Sequence, residues 1–288
     1  MDKDVICDYG NLYKAYKKAK SGKKHNSSTA KFEAMSLEGL HMLKEQLENQ
    51  TYRVNPYNEF KVYEPKERVI KSCSFKDKVV QHCLCDNILL PRLKYEFIKT
   101  NYAGQLGKGT HFGMDCLKEH MLEFYNQHGL DGWILKCDVT KFFYQIDHEV
   151  LKDIVDYYFD DEYTKWLNHL YIDSTDGLGL PLGNQVAQVY ALLMLNGLDH
   201  FITGELGIEL YGRYMDDFYL IAPSKEYLKH CLDCINQFVA SLGLSLNGKM
   251  TKQKFYEKYG AWKNHALHGN CIKLCHSMDL YVNELLER

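Results

Sequence analysis

The chain has 288 residues, 45% apolar and 25% charged, an ordinary globular balance with room for a sizeable core and two or three lobes. No run of about eighteen apolar residues argues for a membrane span. The opening MDKDVICDYGNLYKAYKKAK lacks the apolar stretch of a secretory leader, so the expected location is cytoplasmic, with the ten cysteines reduced.

Residues 9–20 repeat an apolar or aromatic residue every three or four positions and predict a helix. The polar SGKKHNSS separates it from a second helix over 32–49, with Phe32, Met35, Leu40, Leu43 and Leu47 on one side. FKVYEPKERVIKSCS (60–74) predicts two short strands around a turn at Glu64–Pro65. Residues 76–97 predict a helix broken near Pro91. The glycine-rich GQLGKGTHFG (104–113) leads into a helix over 114–127, and WILKCDV (133–139) predicts a buried strand. Asp147 is a candidate N-cap for HEVLKDIVDYYF. The loop GLGLPLGN (177–184) precedes a nearly all-apolar, hence buried, helix over 185–202. GRYMDDFYLI (212–221) predicts strand, turn, strand, and 225–242 a further helix. The element order indicates an α+β fold built on an antiparallel sheet, without internal repeats.

The net charge of −3 is uneven: residues 1–78 carry +5 and the remainder −8. A basic front and an acidic body suit an enzyme that holds a phosphate backbone with one part and metal ions with another. A solvated basic helix explains the same numbers. Cys231 and Cys234 form a CxxC within a helical pattern, and Cys271, Cys275 and His276 lie further on. Zinc binding there is weakened because no second CxxC with ribbon-like spacing follows.

The chemistry concentrates in three aspartates. Asp138 closes the buried strand, and Asp216 and Asp217 lie at the turn of the later strand pair. If the strands are neighbours, three carboxylates converge at one sheet edge, which is unfavourable unless cations intervene. Two Mg²⁺ ions about 3.5–4 Å apart would satisfy them and suit two-metal phosphoryl transfer. A bare Asp-Asp pair is otherwise an exposed turn.

YMDD (214–217), DVTKFF (138–143) and GLPLGNQVAQ (179–188) occur in the order, and near the separation, found in reverse transcriptases. YEPKERVIKSCSFKDKVVQHCLCDNIL (63–89) and NYAGQLGKGTHFG (101–113) resemble the finger segments of the bacterial and phage enzymes, and AWKNHALHGN (261–270) resembles a thumb motif. The resemblance implies a right-hand polymerase with fingers at 1–130, a palm at 131–250 and a truncated thumb at 251–288. It implies RNA-directed DNA synthesis on an RNA template, with a DNA or RNA primer and dNTPs, using two Mg²⁺ ions or Mn²⁺ in their place. Asp138, Asp216 and Asp217 would hold metal, joined by the backbone carbonyl of Val139. Phe143 matches the steric gate against a ribose 2′-hydroxyl, with core packing as the plain alternative. Arg68 matches the arginine that clamps the incoming triphosphate, and Lys78 would assist unless it is a solvated helix lysine. Leu182 and Gly183 match the pair beside the nascent base pair.

Many relatives have Gln-Gly where this chain has Leu-Gly, followed by Gln188. That pattern is similar to the enzymes of diversity-generating retroelements, which err at template adenines and use a small helical accessory protein. Losing a polar contact at the base pair weakens discrimination. Defence-associated enzymes can share the aliphatic residue and form the alternative. Lys108, in GKGTH, would bind template phosphate, although Gln105 and Leu106 stand where basic residues are common. His265 and His268 suit packing better than metal.

The pattern breaks after GLSLNGKMTKQKF (243–255), where the chain passes almost directly to the thumb motif and the primer-grip hairpin is expected to be missing. Lys249 or Lys252 would stand for the lysine that protonates pyrophosphate. Misplacing the primer end by about 1 Å can lose roughly a hundredfold in rate. A degenerate, non-catalytic RNA-binding remnant is therefore a further reading, and a group II intron maturase is a weaker one.

Overall fold

A computed structural model describes residues 1–21, 36–63, 67–129, 132–175, 177–247 and 252–254. Its elements in chain order are α1 (Asp2–Ile6), α2 (Tyr9–Lys20), α3 (Ser36–Glu48), β1 (Asn58–Val62), β2 (Arg68–Ser72), α4 (Phe75–Leu84) and α5 (Leu90–Leu93). Then follow α6 (Thr110–His128), β3 (Trp133–Asp138), α7 (Phe142–Gln145), α8 (His148–Tyr158), α9 (Glu162–Ile172), α10 (Gln185–Met194) and α11 (Asn196–His200). The last are β4 (Tyr211–Tyr214), β5 (Asp217–Ala222), α12 (Lys225–Ser241) and β6 (Lys252–Lys254). No helix among the described residues is long and apolar enough to cross a membrane. Phe32, Met35, the Glu64–Pro65 turn, Lys249 and the thumb motif with His265 and His268 lie outside the described residues, as do Cys271, Cys275 and His276.

The chain forms two compact units, each discontinuous in sequence. The first draws on Met1–Ile98, Lys141–Gly197 and Ser241–Leu244. In it, α2 buries Leu12, Ala15, Tyr16 and Ala19, the three-to-four spacing of one helical face. Leu40, Leu43 and Leu47 of α3 are likewise buried. The strands β1 and β2 form a two-stranded antiparallel hairpin, Phe60 opposite Ile70.

A fully buried carboxylate organises this unit. Asp77, in the first turn of α4, accepts hydrogen bonds from Tyr52 Oη at 2.6 Å, Ser74 Oγ at 2.7 Å and Asn55 Nδ2 at 3.1 Å. Ser74 in return caps the helix, accepting from the Asp77 amide. Tyr171 of α9 donates to the Asp77 carbonyl at 3.2 Å. Burial, reinforced by the neighbouring carboxylate, pushes the Tyr52 phenol well up, so it stays a donor.

Three elements depart from the periodicity reading. The helix expected to break near Pro91 instead widens into a π-turn over Cys85–Leu89 before α5. A proline lacks an amide hydrogen and its ring crowds the carbonyl four residues back, and a wider turn relieves both. The helix expected over 185–202 is interrupted at Leu195. Asn196 there sends its amide to Tyr158 Oη at 2.9 Å, and Asn-Gly is a weak helix former. The helix α9, capped by Asp161, fills a stretch to which the periodicity reading assigns no element.

The second unit draws on Lys99–Thr140, Leu198–Ala240 and the described residues from Ser245 onward. Its four-stranded sheet runs β4-β5-β3-β6, antiparallel at each pairing. Ile134 faces Ile221 across the ladder, and both pack with Tyr219 against Cys116, Leu117, Met121 and Phe124 of α6. Gly212 is required here: a Cβ would sit 2.7 Å from both the Tyr102 and Tyr219 hydroxyl oxygens.

Asp77→Ala strands three donors at once. It is expected to lower the unfolding free energy by about 2–4 kcal/mol, read by urea denaturation; a loss under about 0.5 kcal/mol would mean that the network does not organise the unit.

Candidate active site

The strands β3 and β5 pair so that Asp138 stands directly opposite Asp217. Tyr214 and Asp217 close the hairpin, leaving Met215 and Asp216 as its two-residue turn. The Val139 amide donates to the Asp216 carbonyl at 3.3 Å, tying the turn to the end of β3. The three predicted carboxylates therefore come from adjoining positions of one sheet edge. Among the described residues, however, no three His, Cys, Asp or Glu side chains converge into a metal-holding group. The same holds for the CxxC, where Cys234 lies 3.7 Å from His230 Nε2 on the same helix.

The turn is strained. Met215 has φ 55°, a left-handed conformation that a residue with a side chain adopts at a cost of about 1–2 kcal/mol. Arg213 holds it, donating from Nη1 to the Met215 carbonyl at 2.8 Å. Arg213 is itself fully buried, forked onto Asp199 by Nε and Nη2, each at 2.6 Å. Desolvation opposes the guanidinium charge, and Asp199 outweighs it and keeps the group protonated. Tyr211 Oη at 2.6 Å and Asn101 Nδ2 at 3.2 Å complete the donors around Asp199. Burial raises the Tyr211 phenol well above its ordinary value, so it remains a donor.

Each flanking carboxylate has a partner. The Asn247 amide donates to the Asp138 carbonyl at 2.8 Å, and Asn247 Nδ2 donates to Asp138 Oδ2 at 3.2 Å. Asn247 arrives because Thr140 and Ser245 pair through their backbones and Val139 bridges Leu246. Lys136 Nζ lies 3.0 Å from Asp217 Oδ1.

Lys108 is in the same unit. Its ammonium donates to the carbonyls of Lys99 at 3.0 Å and Asn101 at 2.8 Å, and burial lowers its pKa. It therefore ties the glycine-rich loop back to the segment that precedes it.

The remaining predicted residues belong to the first unit. Arg68 opens β2 and is exposed; Lys78 reaches Ser72 Oγ at 3.2 Å. The Lys71 amide donates to the Leu182 carbonyl at 3.0 Å, so β2 runs beside the Leu182-Gly183 turn. Gly183 has φ 104°, and a Cβ there would approach Ile70 Cγ2 at 3.0 Å. Gln188 is exposed on α10. Phe143 is half-buried, its ring edge-on to Phe142. Gly179, at φ 90°, passes under it, where a Cβ would meet the Phe143 carbonyl at 2.9 Å.

Sequence reasoning missed Arg213, Asp199, Lys136 and Asn247. Three of them sit inside the motifs themselves, in GRYMDD, WILKCD and LSLN, where the aspartates and later lysines drew attention. Asp199 carried no signal beyond being an acid in an apolar helix.

Residues 61–264 match the family model described as reverse transcriptase (RNA-dependent DNA polymerase). The chain belongs to the reverse transcriptase family. Comparison with curated proteins gave no match. Among solved structures, this reverse transcriptase is similar to apo telomerase from Candida tropicalis truncated from its C-terminal domain, with TM-score 0.52 and 12% identity over 76% of this chain and 55% of that one. It is also similar to telomerase from Candida albicans in complex with a fragment of telomeric RNA, with TM-score 0.54 and 12% identity over 72% of this chain and 44% of that one. The chain thus spans about half the length of these telomerases. The likeness shows the fold: α+β, of the right-hand polymerase class.

Asp199→Leu leaves a buried guanidinium uncompensated and is expected to cost about 3–5 kcal/mol. Adding Arg213→Met should recover much of that loss. Denaturation of both single variants and the double variant measures the coupling, and strictly additive losses would show that the two residues do not act as a pair.

Proposed function

We propose that this reverse transcriptase is an RNA-directed DNA polymerase of a bacterial or phage retroelement, extending a DNA or RNA primer with dNTPs on an RNA template. The observation that carries the reading is the register that sets Asp138 opposite Asp217, one residue from the Met215–Asp216 turn. Asp138, Asp216 and Asp217, with the Val139 carbonyl, would supply a hard-oxygen donor set suited to Mg²⁺ or Mn²⁺ once the three side chains close on an ion. The Asp138 and Asp217 side chains are only partly buried, so an entering ion need not unpack the core. Divalent ions bound there would activate the primer hydroxyl and neutralise the leaving pyrophosphate.

The chain's own residues do the rest. Arg213 holds the turn so that Asp216 keeps its position without reorganising. Asn247 holds Asp138 through a neutral donor, leaving the carboxylate charge intact for a cation. In the other set, Arg68 and Lys78 would meet the triphosphate, Phe143 would exclude a ribose 2′-hydroxyl, and Leu182 and Gly183 would line the nascent pair. Support comes from the Lys71–Leu182 backbone bond, which keeps β2, whose first residue is Arg68, beside that turn. Template phosphate binding by Lys108 would require releasing its two carbonyls.

The finer reading is the diversity-generating type, with a small helical accessory protein as partner, and it rests on Leu182. An aliphatic side chain offers no hydrogen bond with which to reject a wrong pair. A defence-associated enzyme is the alternative with the same chemistry.

Primer extension on a defined RNA containing all four bases, with Mg²⁺, tests both levels. DNA product that disappears in Asp216→Asn is expected. Absence of product despite measurable RNA binding would favour a non-catalytic remnant. Sequenced products are expected to carry errors concentrated at template adenines, with Leu182→Gln reducing them about threefold or more, the scale of one polar contact of about 1 kcal/mol. Errors spread evenly over the template would remove the diversity-generating reading and leave the polymerase.

A further inference from the structure

Lys136 is an unusual residue for its place. The strand β3 lies between β5 and β6, and Ile134, Leu135 and Cys137 are all buried. A β-branched residue would suit such a position better than a lysine. Side chains alternate along a strand, so Lys136 and Asp138 share a face. Lys136 stands opposite Tyr219, and Asp138 opposite Asp217, which makes Asp217 the diagonal neighbour of Lys136. Diagonal neighbours are within reach of a long side chain. The ammonium takes that reach and sits 3.0 Å from Asp217 Oδ1.

We propose that Lys136 is a resident counter-ion of the active site: it occupies Asp217 when no divalent metal is bound, and metal must displace it to enter. The proposal rests on the reading of Asp217 as a metal-binding carboxylate. Two carboxylates directly opposite one another repel. Lys136 relieves that repulsion with a positive charge, whereas Asn247, on Asp138, adds only a neutral donor.

The pair is built to be broken. Lys136 is 31% exposed and Asp217 44%. Solvent screening limits such a pair to about fivefold in any equilibrium it biases. A lysine makes a point contact on a flexible stem, without the fixed bidentate fork of an arginine. A divalent cation carries twice the charge and replaces it. Lys136 thus sets how much metal is needed.

The test is direct binding of Mn²⁺ to the full chain, without nucleic acid or dNTP, followed by electron paramagnetic resonance. Lys136→Met is expected to tighten Mn²⁺ binding about three- to fivefold, the reciprocal of the competition removed. Lys136→Arg, which keeps the charge and adds the fork, should bind Mn²⁺ no more tightly than the wild type. In an Asp217→Asn background, Lys136→Met should have no further effect. Lys229→Met, which removes one charge from an exposed position of α12, controls for long-range electrostatics and should leave affinity unchanged. Lys136→Gln repeats the measurement if the methionine variant fails to fold, judged by circular dichroism. Unchanged or weaker Mn²⁺ binding in a folded Lys136→Met or Lys136→Gln protein overturns the counter-ion role alone. An equal gain in Lys229→Met also overturns it. A wild type that binds no Mn²⁺ overturns the metal reading of the carboxylates, and the counter-ion role with it.

Discussion

The pairing register of β3 with β5 is the constraint from which the rest of the site follows. Side chains on a strand alternate with a period of two, so a slip of one residue would turn Asp138 to the opposite face and carry Ile134 away from α6. The apolar partners prevent that slip. Ile134 opposite Ile221, and Leu135 opposite Leu220, are all buried in the observed alignment. The chemistry at one end of the sheet is thus held by hydrophobic packing along its length, where α6 covers one face.

The same unit treats its charges in two ways. Asp199 and Arg213 are sealed from solvent, and every charged atom has a close partner. This is the arrangement in which a buried pair is tolerated, and it gives the hairpin turn a fixed support. Asp138 and Asp217 stay partly exposed and carry weaker, replaceable contacts. Rigid charge lies below the turn and exchangeable charge lies at its edge. The strain at Met215 fits this division: an unfavourable backbone conformation persists where the surroundings over-determine it.

The first unit follows a parallel logic around Asp77. A buried carboxylate gathers donors from Tyr52, Asn55 and Ser74, so a loop, a helix cap and, through Tyr171, a later helix share one anchor. This anchor lies a few residues beyond β2, the strand that Arg68 opens.

Much was legible from residues alone. The spacing of Leu12, Tyr16 and Ala19, the cap at Asp147 and the alternation through GRYMDDFYLI specified local structure, because helix and strand periodicities act over a few residues. The co-occurrence of YMDD, DVTKFF and GLPLGNQVAQ in order pointed to the family for the same reason: motifs are local. Partners far apart in the chain were not legible. Asp199 with Arg213, Lys136 with Asp217, Asn247 with Asp138 and Tyr52 with Asp77 depend on which strands pair and which helix covers them. Nor could spacing tell that Lys108 would turn inward onto backbone carbonyls, since a lysine in a glycine-rich loop reads as a free cation until the loop closes around it. The sequence by itself determined which residues carry charge and chemistry; the tertiary structure decided which of those charges are locked and which can be exchanged, because burial and register exist only once distant segments meet.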